Sequence, residues 1–357
     1  MLMFTPGPVS VCKKVLKAQE KAMITHRGKE FQELYKRVVG KIIPLIGAKE
    51  AHIITGSGTC AIEANVQNAL PEGGKALVLS NGAFGDKLAE HCKLYYETIF
   101  QRLNGAKGWD LQRAKPHIDE AASKGAKLFA MVHHETSPGI LNKIGEICKY
   151  AKERGMITLI DGTSAFPAYS LEHVKDCVDF YSWASQKAAG CPPGIAVVSF
   201  SSDGICAVEA SPKRSNYMNL KGFRKKQAEK FETPNTPAIS LICALEAALD
   251  LLLQEGHGKF MKRHGRMAKF ARKKIKKMGF EAFVEKGFES NTVITFYTQK
   301  NKELNSLLQA KYSVKLGGGH ADWKDNSLRF CIMGDLNLKK VKKGLEALEA
   351  AKKELQI

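Results

Sequence analysis

The chain has 357 residues, 44% of them hydrophobic, and its 55 Lys or Arg against 36 Asp or Glu leave a formal charge of +19. That length supports a large core in one or two domains; no apolar run approaches the ~20 residues needed to cross a bilayer, and the start, Met-Leu-Met-Phe-Thr-Pro-Gly-Pro, lacks the basic opening and long apolar stretch of a signal peptide. Nine singly scattered cysteines with no Cys-x-x-Cys pair exclude a disulfide framework and a zinc site and point to reduced thiols in a soluble cytoplasmic protein without a metal.

From residue 50 to 210 short apolar runs alternate with helical patterns. Expected strands are His52–Thr55, Lys75–Ser80, Leu128–His133, Ile157–Asp161, Val178–Ser182 and Ile195–Ser199. Between them lie the periodic stretches Ala61–Leu70, Lys87–Leu94, Ile144–Arg154 and Leu171–Lys175. This alternation predicts an α/β fold, a mostly parallel sheet between helices, with ligands gathered beyond the carboxyl ends of the strands. A break at Thr233-Pro-Asn-Thr-Pro237 precedes a long helix, Ala238–Glu255. Around the basic stretch 259–277, Phe260, His264, Met267, Ala271, Ile275 and Met278 recur at three or four, so it reads as an amphipathic helix with a solvated basic face. Then come a strand Thr292–Tyr297, a helix Lys302–Lys311, a turn at Gly317–Gly319, a strand Ser327–Met333 and a final helix from Asn337. The layout implies a large domain over 1–250 and a small α+β domain over 251–357 that contains two strands.

The charge alone would fit a nucleic-acid partner. No nucleic-acid motif and no aromatic-plus-basic platform accompanies it, however, and a positive potential also gathers anionic 2-oxo acids and phosphates. A nucleic-acid or membrane partner is therefore not expected.

The residues that carry chemistry fall at the expected strand ends. Gly56-Ser57-Gly58-Thr59 opens a helix, whose unpaired N–H groups and partial positive charge can cradle a phosphate. Phe84 follows the next strand, where an aromatic can stack on a planar ring or simply pack. Asp161 closes an apolar strand. Lys187 stands in Ala-Ser-Gln-Lys-Ala-Ala-Gly-Cys-Pro-Pro-Gly, flanked by small residues and a Pro-Pro-Gly turn. A fixed lysine and an aspartate at a buried strand end suggest a Schiff base to pyridoxal phosphate, with the aspartate keeping the pyridine nitrogen protonated. Arg329, inside the apolar strand Ser-Leu-Arg-Phe-Cys-Ile-Met, needs an anion, either a substrate carboxylate or an acid of the same chain.

In order along the chain stand Thr-Pro-Gly-Pro (5–8), His-Arg-x-x-Glu-Phe (26–31), Gly-Ser-Gly-Thr-x-Ala-x-Glu (56–63), Glu-Thr-Ser-x-Gly (135–139), Asp-x-x-Ser (161–164), Ser-Gln-Lys with Pro-Pro-Gly (185–194), Asn-Thr-Pro (235–237) and Leu-Arg-Phe with Met-Gly (328–334). In these the chain resembles the class V aminotransferases of the fold type I pyridoxal-phosphate enzymes, most closely the alanine–glyoxylate and serine–pyruvate group. The resemblance implies that Lys187 holds the cofactor and Asp161 pairs with its ring nitrogen. It implies Phe84 stacked on the ring, Gly58 and Thr59 at the phosphate, Gln186 at the phosphate or a neighbouring ring substituent, and Ser137 or Thr136 at the ring hydroxyl. Arg329 would bind the substrate carboxylate, and Gly7, in an N-terminal segment 1–15, would line the substrate pocket. Asn235 and Thr236, or Thr233 in their place, would reach the cofactor of the neighbouring subunit in a homodimer. The implied reaction moves an amino group from alanine or serine to glyoxylate or pyruvate. The alternative is an aspartate or 2-aminoethylphosphonate donor held by a second cation such as Arg27. A cysteine desulfurase is disfavoured because residues 317–328 contain no cysteine.

Overall fold

The computed structural model describes residues 1–172 and 176–357. A seven-stranded sheet forms the centre, in the order Glu50–Thr55, Ile195–Phe200, Phe180–Ala184, Ile157–Asp161, Leu128–Val132, Lys75–Ser80, Glu97–Arg102. Neighbours run parallel from Phe180–Ala184 to the Glu97–Arg102 edge, whereas Ile195–Phe200 is antiparallel to both strands beside it. Strand alternation sends side chains to two cores. Leu77, Leu79, Phe129, Met131 and Ile160 pack towards the helices Lys29–Ile46, Leu111–Ser123, Ile144–Glu153 and Ile239–Glu255. Ala76, Val78, Leu128, Ala130 and Leu159 pack towards Gly58–Gln67 and Ala83–Lys93 on the other face. The predicted α/β fold is the observed one.

A second, four-stranded sheet has the order Leu2–Phe4, Val314–Gly318, Ser327–Cys331, Val293–Tyr297. Its core includes Phe4, Phe296, Phe330, Leu308 and Leu348, with the basic helix His257–Lys277 and the C-terminal helix Leu338–Glu354 over it. The sheet has twice the expected strand number for two reasons. The run of glycines at 317–319 reads as a turn although Gly317 and Gly318 pair with Arg329 and Leu328. The chain start is only three residues long as a strand and pairs in parallel with Val314–Leu316.

Other departures have local causes. The strand expected at Val178–Ser182 begins at Phe180; the chain bends at Asp179, whose carboxylate accepts hydrogen bonds from Thr158 N, Ser201 Oγ and Lys152 Nζ. The helices Lys29–Ile46 and Leu111–Ser123 contain Pro44 and Pro116, which interrupt the sequence signal. The periodic stretch Leu171–Lys175 falls largely on 173–175, outside the described residues. Among the described residues no helix is long and apolar enough to cross a membrane.

Candidate active site

The carboxyl ends of the central strands open towards the seam with the second sheet, and Asp161, Lys187 and Arg329 meet there. Asp161 is 3% exposed and accepts a hydrogen bond from Thr163 N at 2.8 Å. Burial pushes its carboxyl pKa up, and among the described residues no cation lies within ion-pair distance of it.

Lys187 follows the strand Phe180–Ala184 in a turn closed by Gly190 N to Lys187 O and Cys191 N to Ser185 O. The Ser185 hydroxyl donates to Pro192 O at 2.6 Å, which fixes the Pro-Pro-Gly return. The ammonium donates to Pro6 O at 2.7 Å. Burial above all, reinforced by the field of Arg329, lowers the Lys187 pKa from 10.5 to about 8. Gly7 lies against its stem: a Cβ there would sit 2.7 Å from Lys187 Cδ, and the φ of +127° also requires glycine. The N-terminal segment thus walls the lysine even though its first strand belongs to the second sheet.

Arg329 and Cys331 share one face of the strand Ser327–Cys331, opposite Leu328 and Phe330 in the second core. Arg329 is 6% exposed. Its Nε donates to Gly318 O at 2.8 Å and its Nη1 to Thr136 O at 3.1 Å. Both acceptors are neutral; among the described residues no carboxylate pairs with this guanidinium, and Nη2 makes no hydrogen bond. Burial lowers its pKa. Of the two readings of Arg329, an acid of the same chain is not the partner.

The helix Gly58–Gln67 begins at N-cap Ser57 without a side-chain cap, so its first N–H groups are free. A Cβ on Gly58 would strike Thr163 Cγ2 at 2.8 Å, so glycine lets this helix start approach the turn after Asp161. Lys87 Nζ lies 3.4 Å from Thr59 Oγ1. Phe84 stands with its ring centroid 5.9 Å from Lys187 Nζ. Gln186 Oε1 is buried without a partner.

Two expected contacts have other occupations in this structure. Ser137 Oγ donates to Glu135 Oε1 at 2.6 Å and accepts from Ala83 N at 3.2 Å. Thr136 Oγ1 donates to Ser164 Oγ at 2.5 Å. The sequence reading also gave Glu135 no role, yet its buried carboxylate accepts from Phe84 N and Gly85 N, and from Ser137 N and Oγ. It anchors the helix start that carries Phe84. The available signal was an acid just beyond a strand end, in Glu135-Thr136-Ser137. Lys87, three residues beyond Phe84 on the same helix, was legible from helical spacing.

Asn235 and Thr236 lie outside this cluster. Asn235 Nδ2 donates to Tyr217 O at 3.4 Å, Thr236 is exposed, and Ala238 N donates to Thr55 Oγ1 at 2.9 Å. Thr233 is buried and its hydroxyl donates to Asn235 O at 2.8 Å. Arg27 organises this turn: Nη1 donates to Glu232 Oε2 at 2.8 Å and Thr233 O at 2.7 Å, and Nη2 to Pro234 O at 3.1 Å.

Residues 9–323 match the family model described as aminotransferase class-V. The chain is 31% identical to an uncharacterized aminotransferase of Methanocaldococcus jannaschii over 99% of this chain and 93% of that protein. It is 26% identical to the 2-aminoethylphosphonate–pyruvate transaminase of Pseudomonas aeruginosa over 84% of this chain and 81% of that one. The crystal structure of the alanine–glyoxylate aminotransferase of Nostoc sp. superposes with a TM-score of 0.90 at 24% identity, covering 98% of this chain and 94% of that chain. The chain therefore belongs to the class V aminotransferases, and with that family come transaminase activity and pyridoxal phosphate as cofactor.

Proposed function

We propose that this aminotransferase transfers an amino group from a small amino acid, alanine or serine, to a short 2-oxo acid, glyoxylate or pyruvate. The observation that carries the reading is the buried Arg329 guanidinium, held by two neutral carbonyls and left with an unmet charge beside Lys187. One planar cation fits one carboxylate, and a donor with a short side chain requires no second.

The residues present fit pyridoxal phosphate. An uncapped helix start with Lys87 beside it suits a phosphate dianion. An unpaired buried aspartate suits a ring N–H⁺, and the orphaned Gln186 Oε1 lacks the donor or water it needs. Gly58 and Thr59 would hold the phosphate end, Gln186 would meet the phosphate through its amide N–H or a neighbouring ring substituent, Phe84 would cover the ring, and Asp161 would meet its nitrogen. With their hydroxyls engaged within the protein, Ser137 and Thr136 would act on the ring hydroxyl by shaping the turn around it. When bound, the cofactor supplies an aldehyde that takes up amino groups and a ring that delocalises the electron pair left at Cα.

The chain's own contribution is positioning and proton transfer. Arg329 would fix the substrate carboxylate and so orient Cα towards Lys187. A lysine whose pKa is lowered to about 8 has far more neutral amine at pH 7 than an ordinary one, as a base that moves the Cα proton requires. Asp161, ionised against the ring nitrogen, would keep that nitrogen protonated through the cycle. A homodimer in which the turn at Asn235 and Thr236, or Thr233, completes the neighbour's phosphate site belongs to the same reading, as does the division into domains 1–250 and 251–357.

A second reading, a 2-aminoethylphosphonate donor, is favoured by the 26% identity to a transaminase of that name. Against it, the candidate second cation, Arg27, is already engaged by Glu232 and two carbonyls. A donor panel on the cofactor-loaded protein, with alanine, serine, aspartate and 2-aminoethylphosphonate against glyoxylate and pyruvate, tests the choice. Alanine or serine is expected to give the highest kcat/KM; preference for aspartate or the phosphonate would overturn it.

A further inference from the structure

His320 stands at the active site without a role in what has been described. Its ring lies parallel to Phe84, with centroids 5.6 Å apart and planes at 13°, and the same Phe84 ring faces Lys187 Nζ at 5.9 Å. Two residues upstream, Gly318 O accepts the hydrogen bond from Arg329 Nε. The imidazole is therefore tied through one aromatic neighbour to the amine and through its own backbone to the guanidinium. It is exposed, and among the described residues neither ring nitrogen has a hydrogen-bond partner.

The loop that carries it is braced from both sheets. Arg102, at the edge of the large sheet, donates through Nη2 to Asp322 at 2.6 Å and through Nε to Asp86 at 3.0 Å, on the helix that carries Phe84. Trp323 is buried and stacks on Phe283 at 5.7 Å. Gly319 could not carry a side chain, since a Cβ would fall 2.1 Å from Trp323 O. An imidazole held by such bracing, with both nitrogens free, is presented to a ligand rather than used to hold the fold.

We propose that His320 contacts the side chain of the amino donor and favours a hydroxyl-bearing one, serine, over the methyl of alanine. The inference rests on the small-donor reading above and chooses within it. A carboxylate seated on Arg329 places the donor's Cα near Lys187 and leaves its Cβ substituent to meet what surrounds Phe84. Burial, then the fields of Arg329 and Lys187, lower the His320 pKa, which favours the neutral ring, with one N–H donor and one acceptor. That pair matches a hydroxyl, which also donates once and accepts; a distal carboxylate or phosphonate would call for a cation. Because the ring is exposed, the discrimination is that of one neutral hydrogen bond, roughly 3- to 10-fold, not the far larger rejection achieved by a sealed polar pocket.

The test compares kcat/KM for L-serine and L-alanine, with one acceptor, in the cofactor-loaded wild type, His320→Ala and His320→Gln. The serine-to-alanine ratio is expected to fall about 3- to 10-fold in His320→Ala, through serine alone, with partial retention in His320→Gln, which keeps a donor and an acceptor. Calorimetric binding of 3-hydroxypropionate and propionate, which carry no amino group to react, gives a readout independent of turnover. The hydroxyl compound should bind more tightly to wild type, and the advantage should vanish in His320→Ala. An unchanged ratio, or equal loss on both donors as expected if His320 only supports Phe84, overturns the inference and leaves the transamination reading standing. A wild type that accepts neither amino acid but does use 2-aminoethylphosphonate or aspartate overturns both.

Discussion

Lys187→Met should stabilise the cofactor-free protein, and the gain should depend on pH. In the fold the ammonium keeps its proton only up to about pH 8, against 10.5 when ordinarily solvated. At about 1.4 kcal/mol per pH unit, holding this charge in the folded site below pH 8 costs about 3 kcal/mol. The sign follows from proton counts. Between pH 8 and 10.5 the unfolded chain binds a proton at this lysine that the folded chain has released, so folding stability rises with pH across that window. The cost is fully present below pH 8 and gone by 10.5. Methionine fills a similar volume with no charge and removes the whole cost, but it leaves Pro6 O without its 2.7 Å hydrogen bond, a loss of about 1 kcal/mol. The net expectation at pH 7 is a variant more stable by about 2 kcal/mol, an advantage that disappears by pH 10.5. Urea unfolding of both cofactor-free proteins at the two pH values measures it. A variant less stable at pH 7, or a difference that does not change with pH, would refute the argument that Lys187 is held as a strained cation.

Asp161→Asn should retain cofactor, visible by its absorbance, and lose on the order of 10²-fold in kcat, because an amide cannot keep the ring nitrogen protonated; near-normal turnover would remove Asp161 from that role. Arg329→Ala should raise KM for donor and acceptor alike, by about 10²-fold for a charged bidentate contact made to both, and a rise for one substrate only would contradict a shared carboxylate site. Mixing inactive Lys187→Ala with an inactive Asn235→Ala/Thr236→Ala double variant should restore part of the activity through hybrid sites. A monomer by ultracentrifugation, or no recovery after confirmed subunit exchange, would refute the shared-site dimer.

The strands that position the chemistry were legible because they are buried on both faces: Lys75–Ser80 and Ile157–Asp161 read as short apolar runs and occur with those bounds. Asp161, Lys187 and Arg329 were each marked by a residue type out of keeping with its surroundings: an acid closing a strand, a lysine among alanines, an arginine between leucine and phenylalanine. Gly58 and Phe84 were marked by their places just after strands, and Gly7 by the family resemblance alone. What the sequence hid has one origin. Hydrogen bonds between distant segments leave no local periodicity, so the occupation of the Thr136 hydroxyl by Ser164 could not be read. Nor could the capture of Arg27 by Glu232, 205 positions away. Likewise Val314–Gly318 is a strand only because Ser327–Cys331 and Leu2–Phe4 flank it; its glycines carry no apolar pattern.

The site is assembled with its charges unmet, and that ties binding to chemistry. Arg329 lowers the proton affinity of Lys187, and among the described residues no carboxylate pairs with Arg329. A substrate carboxylate on the guanidinium would cancel that field, so the Lys187 amine would gain basicity when a substrate Cα proton is at hand and lose it when the site empties. Cys331, on the same strand face as Arg329, adds no competing ion pair, because burial pushes its thiol up to about 12. Asp161 behaves in the complementary way: alone its buried carboxyl favours the protonated form, and a cationic ring nitrogen would return it to the carboxylate. Asp161 would reach its working protonation state only with its ligand in place. The cost of holding Lys187 and Arg329 in a dry seam without their anions is then the cost of a site whose charges are matched only when it is full.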